Sequence, residues 1–307
     1  MPLPLLPRKI NDPTGQDSRE RKAMAEFERR ITQVGRDVTV ILKGVPVKAV
    51  TLSSPLVVNA EVVRYQFNVD TLTMDAIGFE IDNLIDRLVL GGSSERDNWF
   101  LSGYIEPAYQ QGTGMAQANL AVQSAAYKLS RPTLQAILQT DAYRTRLGYV
   151  RGRAFEGMKG LTEPMKGQYR NILMDGMAQG LNPNVIARQI ADQTDTSIVR
   201  ARRIARTEIT TALRRSRIDE AESATLDLGL NIRMMQLSAL SATTRQSHAR
   251  RHAKLYTFEE ARVWMSTSPN MINCKCTFVE ILTDENGKPW TPEIVAKAKS
   301  MNPDAGE

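Results

Sequence analysis

A helical repeat of apolar residues, spanning 132–224, limits the fold of this chain more than any other feature of its sequence. Apolar residues recur there every three or four positions, which is the spacing of one face of an α-helix. Two interruptions are expected. The first is the glycine- and proline-containing segment 160–164. The second holds residues that favour a helix end, an N-cap and a first helical turn, namely Gly180, Asn182 and Pro183.

The beginning of the chain predicts a proline-rich arm followed by a helix. Four prolines fall within the first fifteen residues, which is typical of an extended segment. From Ser18 onward, apolar residues with helical spacing form one seam: Met24, Phe27, Ile31, Val34, Val38 and Ile41. Because this seam must be covered by the rest of the chain or by a partner, we interpret 1–44 as an arm and a docking helix.

The next segment predicts one strand and further helices. Residues 45–61 contain two prolines and predict irregular or edge-strand chain, whereas 63–69 alternate apolar and polar residues as a half-buried strand does. Asp70 is placed to cap a helix that ends at the glycine pair 91–92. The expected inner face of that helix is Leu72, Ile77, Leu84, Ile85 and Leu88. Ala, Gln and Gly in 95–129 would let neighbouring helices approach closely.

After Gly229 the pattern changes to short strands. Asn231–Leu240 and the segment that follows Cys276 predict two strands, with a short helix between them near Phe258. The predicted fold class is therefore α+β and predominantly α-helical. A helical body, 45–228, is followed by a small α+β unit, 229–285, and by a C-terminal tail, 286–307.

An amphipathic helix is predicted over 198–224. One face is apolar and small: Ala201, Ile204, Ala205, Ile209 and Ala212. The other face gathers five arginines: Arg202, Arg203, Arg206, Arg214 and Arg217. These arginines form a solvated face, or they contact DNA phosphates or an acidic partner protein. Glu208 falls on the apolar face, so we expect a structural carboxylate paired with an arginine such as Arg245 or with a backbone amine group of the following α+β unit.

Every histidine and cysteine of the chain lies in the small α+β unit: His248, His252, Cys274 and Cys276. Histidines four residues apart share a helix face, and Cys-x-Cys on an extended segment directs both thiols the same way. These four residues can be interpreted as a structural zinc site or as packed side chains without metal. No HExxH or PCxxC pattern accompanies them, so the sequence does not point to a catalytic metal.

Composition narrows the class of protein. The formal charge of +6, from 40 Lys and Arg against 34 Asp and Glu, is mild for 307 residues and does not by itself indicate a nucleic-acid binder. No run of about 18 apolar residues predicts a membrane span, and the proline-broken N-terminus does not resemble a signal peptide. We expect a protein made in a cytoplasm, without a membrane partner. The residues show no constellation for nucleophilic catalysis, so we expect no enzyme activity.

Three segments in order carry a resemblance to a known family. They are the run RIARTEITTALRRSRIDEA at 203–221, TTRQSH at 243–248 and INCKC at 272–276. Their order and spacing resemble the C-terminal region of the phage Mu F-like head-morphogenesis family, over roughly 135–282. The strongest elements are the sequence ARTE at 205–208 and the NCxC motif at 273–276.

The chain departs from the pattern of that family at the metal-type residues. Many relatives carry a Cys-x-x-Cys pair, then Gly-Lys, then a histidine three residues before the first cysteine of Cys-x-Cys. The corresponding residues here are Arg245, His248, the pair Ala253-Lys254, and Met271. A family-type four-ligand zinc cluster is therefore incomplete. His252 could replace a missing ligand, or the site could be a metal-free polar network.

The resemblance implies a minor structural protein of a tailed-phage head that acts in head assembly and in DNA packaging or delivery. Such a protein is made in the host cytoplasm and carried in the virion, at the portal vertex or the inner capsid face. Its expected partners are the portal protein, the major capsid or scaffold protein and packaged DNA, and it is expected to be oligomeric in the virion. Two alternatives from the residues stay open: a metal-dependent nuclease using the His/Cys cluster, and a DNA-binding protein using helix 200–217.

Overall fold

Helices dominate the computed structural model of the chain, which describes residues 3–53, 61–92 and 94–301. The structure is 67% helical and contains small antiparallel sheets, with an α+β unit near the C-terminus. The predicted fold class is therefore confirmed. None of the helices within the described residues combines the length and apolar character that a bilayer-spanning helix needs.

The α-helices follow one another along the whole chain. They are α1 (Asp17–Gly44), α2 (Thr71–Ile85), α3 (Glu106–Gln123), α4 (Ala125–Ser130), α5 (Leu134–Leu138), α6 (Asp141–Ala178), α7 (Pro183–Leu228), α8 (Gln246–Ala249), α9 (Phe258–Ser266) and α10 (Pro292–Ser300). Shorter helical turns lie between α2 and α3: π-helical turns at Asp86–Leu90 and Leu101–Ile105, and a 3₁₀ turn at Glu95–Asp97.

Two small sheets accompany these helices. The strands are β1 (Val47–Ser53), β2 (Glu61–Phe67), β3 (Ile232–Leu237), β4 (Leu255–Tyr256) and β5 (Thr277–Leu282). β1 and β2 form an antiparallel hairpin in which Val47 faces Phe67. The second sheet is antiparallel, in the order β4-β3-β5. β1 lies where sequence analysis predicted irregular or edge-strand chain, and residues 54–60 of that segment lie outside the described residues.

The chain forms two compact units. The three-stranded unit contains 1–22, 100–154 and 203–307, and the hairpin unit contains 23–99 and 155–202. Each unit gathers separate stretches of chain, because long helices bring together residues that are distant in sequence. A division into consecutive segments does not anticipate this arrangement. The segment 286–307, described from sequence as a tail, contains α10 in its described part.

The apolar seam of α1 forms part of the core of the hairpin unit. Four of its side chains are fully buried: Phe27, Ile31, Val34 and Val38. Met24 and Ile41 are partly buried. Phe27 packs edge-on against Trp99, with ring centroids 4.8 Å apart. At Gly35 an added Cβ would lie 2.4 Å from Thr194 Oγ1, so α1 and α7 are in close contact there. The seam is therefore covered by the chain itself, and only the outer face of α1 is left for a partner.

Three local predictions, on two helix breaks and on the inner face of α2, can be compared with the structure. The predicted break at 160–164 is wrong, because α6 continues through Pro164 with Leu161 and Met165 buried on either side. Burial of this face offsets the hydrogen bond that proline removes. Leu72 is exposed rather than on the inner face of α2. The break at 180–183 is present: Gly180 has a φ of +65°, and the Asn182 side chain accepts the Asn184 N–H.

The three-stranded sheet is buried on both faces. One face joins a core with α3, α4, α7 and α9: Leu120, Tyr127, Ile218, Ala221, Ala224, Ile232, Met234, Ala261, Phe278 and Leu282. The other face joins a core with α10: Met235, Leu237, Ala253, Val279, Ile281, Ile294 and Ala298. Burial of both faces explains why β3 and β5 carry apolar residues on both faces instead of on alternate positions only.

Close packing of α3 against α7 depends on a glycine. An added Cβ on Gly112 would lie 1.9 Å from Ser216 Oγ and 2.4 Å from the carbonyl oxygen of Leu213. The prediction that small residues in 95–129 allow close helix approach is confirmed at this position. The backbone carbonyl cannot move without moving α7, so no side chain fits here.

We expect Gly112→Ala to destabilise the protein by about 1–3 kcal/mol, because it overpacks the α3–α7 contact. Gly148→Ala is the matched control: Gly148 is an exposed residue of α6 with nothing within 4 Å of its Cβ position. That change should stabilise by about 0.5–1 kcal/mol through helix propensity. Urea unfolding of both variants measures the difference. Equal effects would show that α3 and α7 are not in contact at Gly112.

Candidate functional site

Three of the four predicted metal ligands come together in the three-stranded unit. His248 lies on α8, and Cys274 and Cys276 lie directly before β5. The His248 Nδ1 is 3.4 Å from the Cys274 sulfur and 3.5 Å from the Cys276 sulfur. The possible ligand atoms of all three residues lie within 4.8 Å of one another, and all three side chains are buried.

This donor set fits a zinc ion. Zinc bonds of about 2.3 Å to sulfur and about 2.0–2.1 Å to nitrogen, at tetrahedral angles, place sulfur and nitrogen about 3.5 Å apart. The sulfur–nitrogen distances of 3.4 and 3.5 Å match that value. The His248 Nε2 lies 3.3 Å from an Arg245 nitrogen. If Nδ1 binds the metal, the imidazole proton lies on Nε2, which then cannot accept a hydrogen bond from Arg245. Arg245 would then keep only its backbone carbonyl partners.

His252 does not join the other three side chains, and this part of the predicted ligand set is wrong. Its Nδ1 accepts the Ser238 N–H at 3.1 Å, and its Nε2 lies 2.7 Å from the carbonyl oxygen of Ala298. The reason is local. α8 ends at Ala249, so the four-residue spacing between the two histidines is not helical throughout. Burial lowers the pKa of His252, so its neutral form bridges β3 to α10.

The two strongest segments of the family resemblance hold each other in place. Arg206 donates to the Asn273 side-chain oxygen at 2.7 Å, and the Asn273 N–H donates to the Thr207 hydroxyl at 3.0 Å. Asn273 adopts a φ of +56°, a left-handed conformation that asparagine tolerates better than most residues. The ARTE segment of α7 thus fixes the turn that presents Cys274.

The two thiols have opposite electrostatic environments. The hydrogen bond between the Cys276 thiol and the Cys274 sulfur lowers the pKa of Cys274, and the nearby Arg214 guanidinium adds to this effect. The same hydrogen bond, together with burial, raises the pKa of Cys276. Arg214 also donates to the carbonyl oxygen of Cys274 at 3.1 Å. The pair is therefore suited to sharing one proton when no cation is bound.

The predicted arginine face of α7 divides into buried and exposed residues. Arg214 and Arg217 are 2% and 1% exposed, so they cannot contact DNA or a partner from the solvated surface as predicted. Arg202 and Arg206 are paired with Glu28 and Glu20, and Arg203 is exposed. The helix period places these side chains on one face, but the sheet and the turn before β5 cover part of that face. The periodicity of one helix does not show which other elements pack on its faces.

The partner of Arg217 is Glu280, which sequence analysis missed. Glu280 accepts from Arg217 at 2.7 and 2.6 Å and from the Asn119 side chain at 2.8 Å. Both side chains of the ion pair are almost completely buried. The available signal was a single charged residue inside the apolar strand TFVEIL, since such a residue needs a buried partner.

Glu208 is paired, but its partner is Arg153 rather than Arg245. The two side chains lie 3.1 Å apart, and that of Glu208 is 11% exposed. Burial raises the pKa of Glu208, and Arg153 opposes the shift. Arg245 instead donates to backbone carbonyls of 269–272, in the turn that leads to Cys274. Arg153 therefore neutralises Glu208, and Arg245 binds groups other than the one expected.

The structure defines a mostly helical α+β protein. In this protein α7, the last helix of the helical body, shares a buried polar cluster with the three-stranded sheet. Residues 168–279 match the family described as Phage Mu protein F like protein, which covers about a third of the chain. The match confirms the resemblance read from the ARTE and NCxC segments and supports membership of the phage Mu F-like family. It indicates a virion-associated head-morphogenesis protein, from a structural family. No curated protein and no solved structure matches the chain.

We expect Arg217→Ala to destabilise the protein by about 3–5 kcal/mol, because it leaves the Glu280 carboxylate buried without its counter-ion. Arg144→Ala is the control, since Arg144 makes an exposed pair with Asp141 and should contribute under about 1 kcal/mol. Chemical denaturation of both variants provides the comparison. A small, equal loss would mean that the ion pair is not a major contributor to stability.

Proposed function

We propose that the chain is a minor structural protein of a tailed-phage head, located at the portal vertex or the inner capsid face, and that it acts in head assembly and DNA packaging without catalysing a reaction. The observation that carries this proposal is the family match over 168–279. The portal protein and the major capsid or scaffold protein are the proposed partners. The helical cores support this role, because a docking protein needs a rigid surface rather than a catalytic cleft.

The direct test is a phage that carries a nonsense codon in the gene for this chain. In a non-suppressing host we expect defective or empty heads, and in a suppressing host we expect the chain in purified virions by quantitative mass spectrometry. Normal heads in the non-suppressing host, or virions without the chain, would contradict the proposal.

The outer face of α1 supplies a docking surface that fits a protein partner. An apolar groove runs between α1 and α7 within the hairpin unit, and its lining includes Val40, Ile190 and Ala191. Val40 is 66% exposed. Two cations, Arg36 and Lys43, and one acidic residue, Asp195, border the groove, and neither cation makes an ion pair within the described residues. This combination fits an apolar segment with acidic flanks on another head protein.

We expect Val40→Asp to reduce incorporation of the chain into heads at least several-fold, because it puts a carboxylate in the groove that receives the partner. Val199→Asp is the matched control. Val199 is 59% exposed on α7 and does not line the groove. The two variants should have similar melting temperatures. Equal incorporation of both would rule out the groove as the docking site.

The arginine face adds little to a DNA-binding alternative. Two of its arginines are buried, and two more are paired with glutamates. We therefore propose protein partners as the main contacts, with packaged DNA as a lesser one. Salt-dependent binding of the purified chain to duplex DNA measures that contribution.

We further propose that His248, Cys274 and Cys276 hold a structural zinc ion. Such an ion would tie α8 to the segment before β5 and close the loop between β3 and β5. A small sheet gains stability from this closure, since metal binding adds to the free energy of folding.

We expect about one zinc per chain, lost in Cys274→Ser and retained in His252→Gln, because only the first residue is a ligand. Elemental analysis measures the stoichiometry, and thermal unfolding with and without chelator measures the stabilisation. Absence of zinc from the native protein would favour a metal-free polar network. DNA cleavage that depends on metal and on Cys274 would favour the nuclease alternative.

A further inference from the structure

We propose that the cleft beside His248, Cys274 and Cys276 admits an anionic oxygen ligand from outside the chain, a carboxylate or a phosphate, as the fourth ligand of the metal held there. This inference rests on the proposed zinc site. It concerns the occupant of the remaining coordination position, which the proposed function leaves open.

Within the described residues, the protein supplies three metal ligands and not four. His248, Cys274 and Cys276 are the only group of three or more His, Cys, Asp or Glu side chains there whose ligand atoms converge. His252 cannot complete the set without losing its hydrogen bonds to Ser238 and Ala298. Zinc in proteins binds four or more ligands, so the remaining position is open to water or to another ligand that enters through the cleft.

The lining of the cleft favours a negative charge. It includes three cations, Arg206, Arg245 and Lys275, together with hydroxyl groups from 241–244, and none of its described lining residues is acidic. Two of the cations are neutralised by neighbours outside the lining: Arg206 pairs with Glu20, and Lys275 pairs with Asp17.

Arg245 is the cation without such a neighbour. It makes no ion pair within the described residues and donates only to the carbonyl oxygens of Pro269, Asn270 and Ile272, besides its contact with His248. A guanidinium held by neutral groups keeps its full charge for an incoming anion. Two thiolates balance the charge of a zinc ion, so the positive charge that attracts the anion comes from Arg245.

The hydroxyl groups add donors on the same side. Thr243 and Thr244 line the cleft, and Thr244 already accepts the Ser241 N–H at 2.9 Å. An oxygen anion at the metal could therefore accept a charge-assisted hydrogen bond from Arg245 and weaker bonds from these hydroxyls. A neutral ligand such as imidazole would gain none of the charge-assisted contribution.

The test uses the full chain loaded with cobalt(II), whose visible absorption reports the ligands at the metal. Sodium acetate and sodium phosphate are titrated separately at constant ionic strength, with sodium chloride as the reference salt. We expect a saturable change in the cobalt bands with at least one of the two, and little change with chloride. Acetate selects a carboxylate as the ligand class, and phosphate selects a phosphate.

Two variants sharpen the result. Arg245→Gln should weaken the anion several-fold while the thiolate-to-cobalt absorption persists, and Arg245→Lys should recover part of the affinity because it restores the charge. A spectrum that neither anion changes would overturn the inference, as would loss of cobalt in His252→Gln, which would mean four protein ligands. Failure of the wild-type chain to bind cobalt or zinc would instead refute the underlying metal site.

Discussion

The buried ion pair of Arg217 and Glu280 is the interaction on which the three-stranded unit depends. It joins the last third of α7 to the middle of β5, and its side chains are 2% and 0% exposed. Removing both charges from water is unfavourable unless every remaining lone pair is satisfied. Asn119 satisfies the carboxylate, and with Gln123 it also binds the backbone of β5 at the edge away from β3. The positions of α3, α7 and β5 relative to one another are thus fixed.

That arrangement places the candidate metal site. Cys276 directly precedes β5, and Arg206 and Thr207 lie about three turns of α7 before Arg217. When α7 and β5 are aligned by their ion pair, Asn273 meets Arg206 and Thr207, and the thiols face His248. The two segments by which the family is recognised are therefore the two sides of one contact. Their order and spacing are specific because they must meet in space.

The candidate site could be predicted from sequence in part. His248, Cys274 and Cys276 were identified because histidine and cysteine are rare in this chain and concentrated in one segment. Helical spacing also places His252 in the predicted ligand set, but the short α8 does not extend as far as His252. The prediction that the arginines of α7 form a solvated face is wrong for a related reason. Periodicity assigns residues to a face, but it does not reveal which other element packs on that face, so the burial of Arg214 and Arg217 was hidden.

The sequence by itself determined the fold class, the ends of several helices and the resemblance to the family, since these depend on local periodicity, on capping residues such as Asp70 and Asn182, and on short ordered segments. Tertiary structure alone decided which charges are buried, that Glu208 pairs with Arg153, and that α6 continues through Pro164. It also decided that the α1 seam is covered by its own chain. Each of these outcomes depends on contacts between residues far apart in sequence, whose packing energy exceeds the local preferences that a sequence pattern reports.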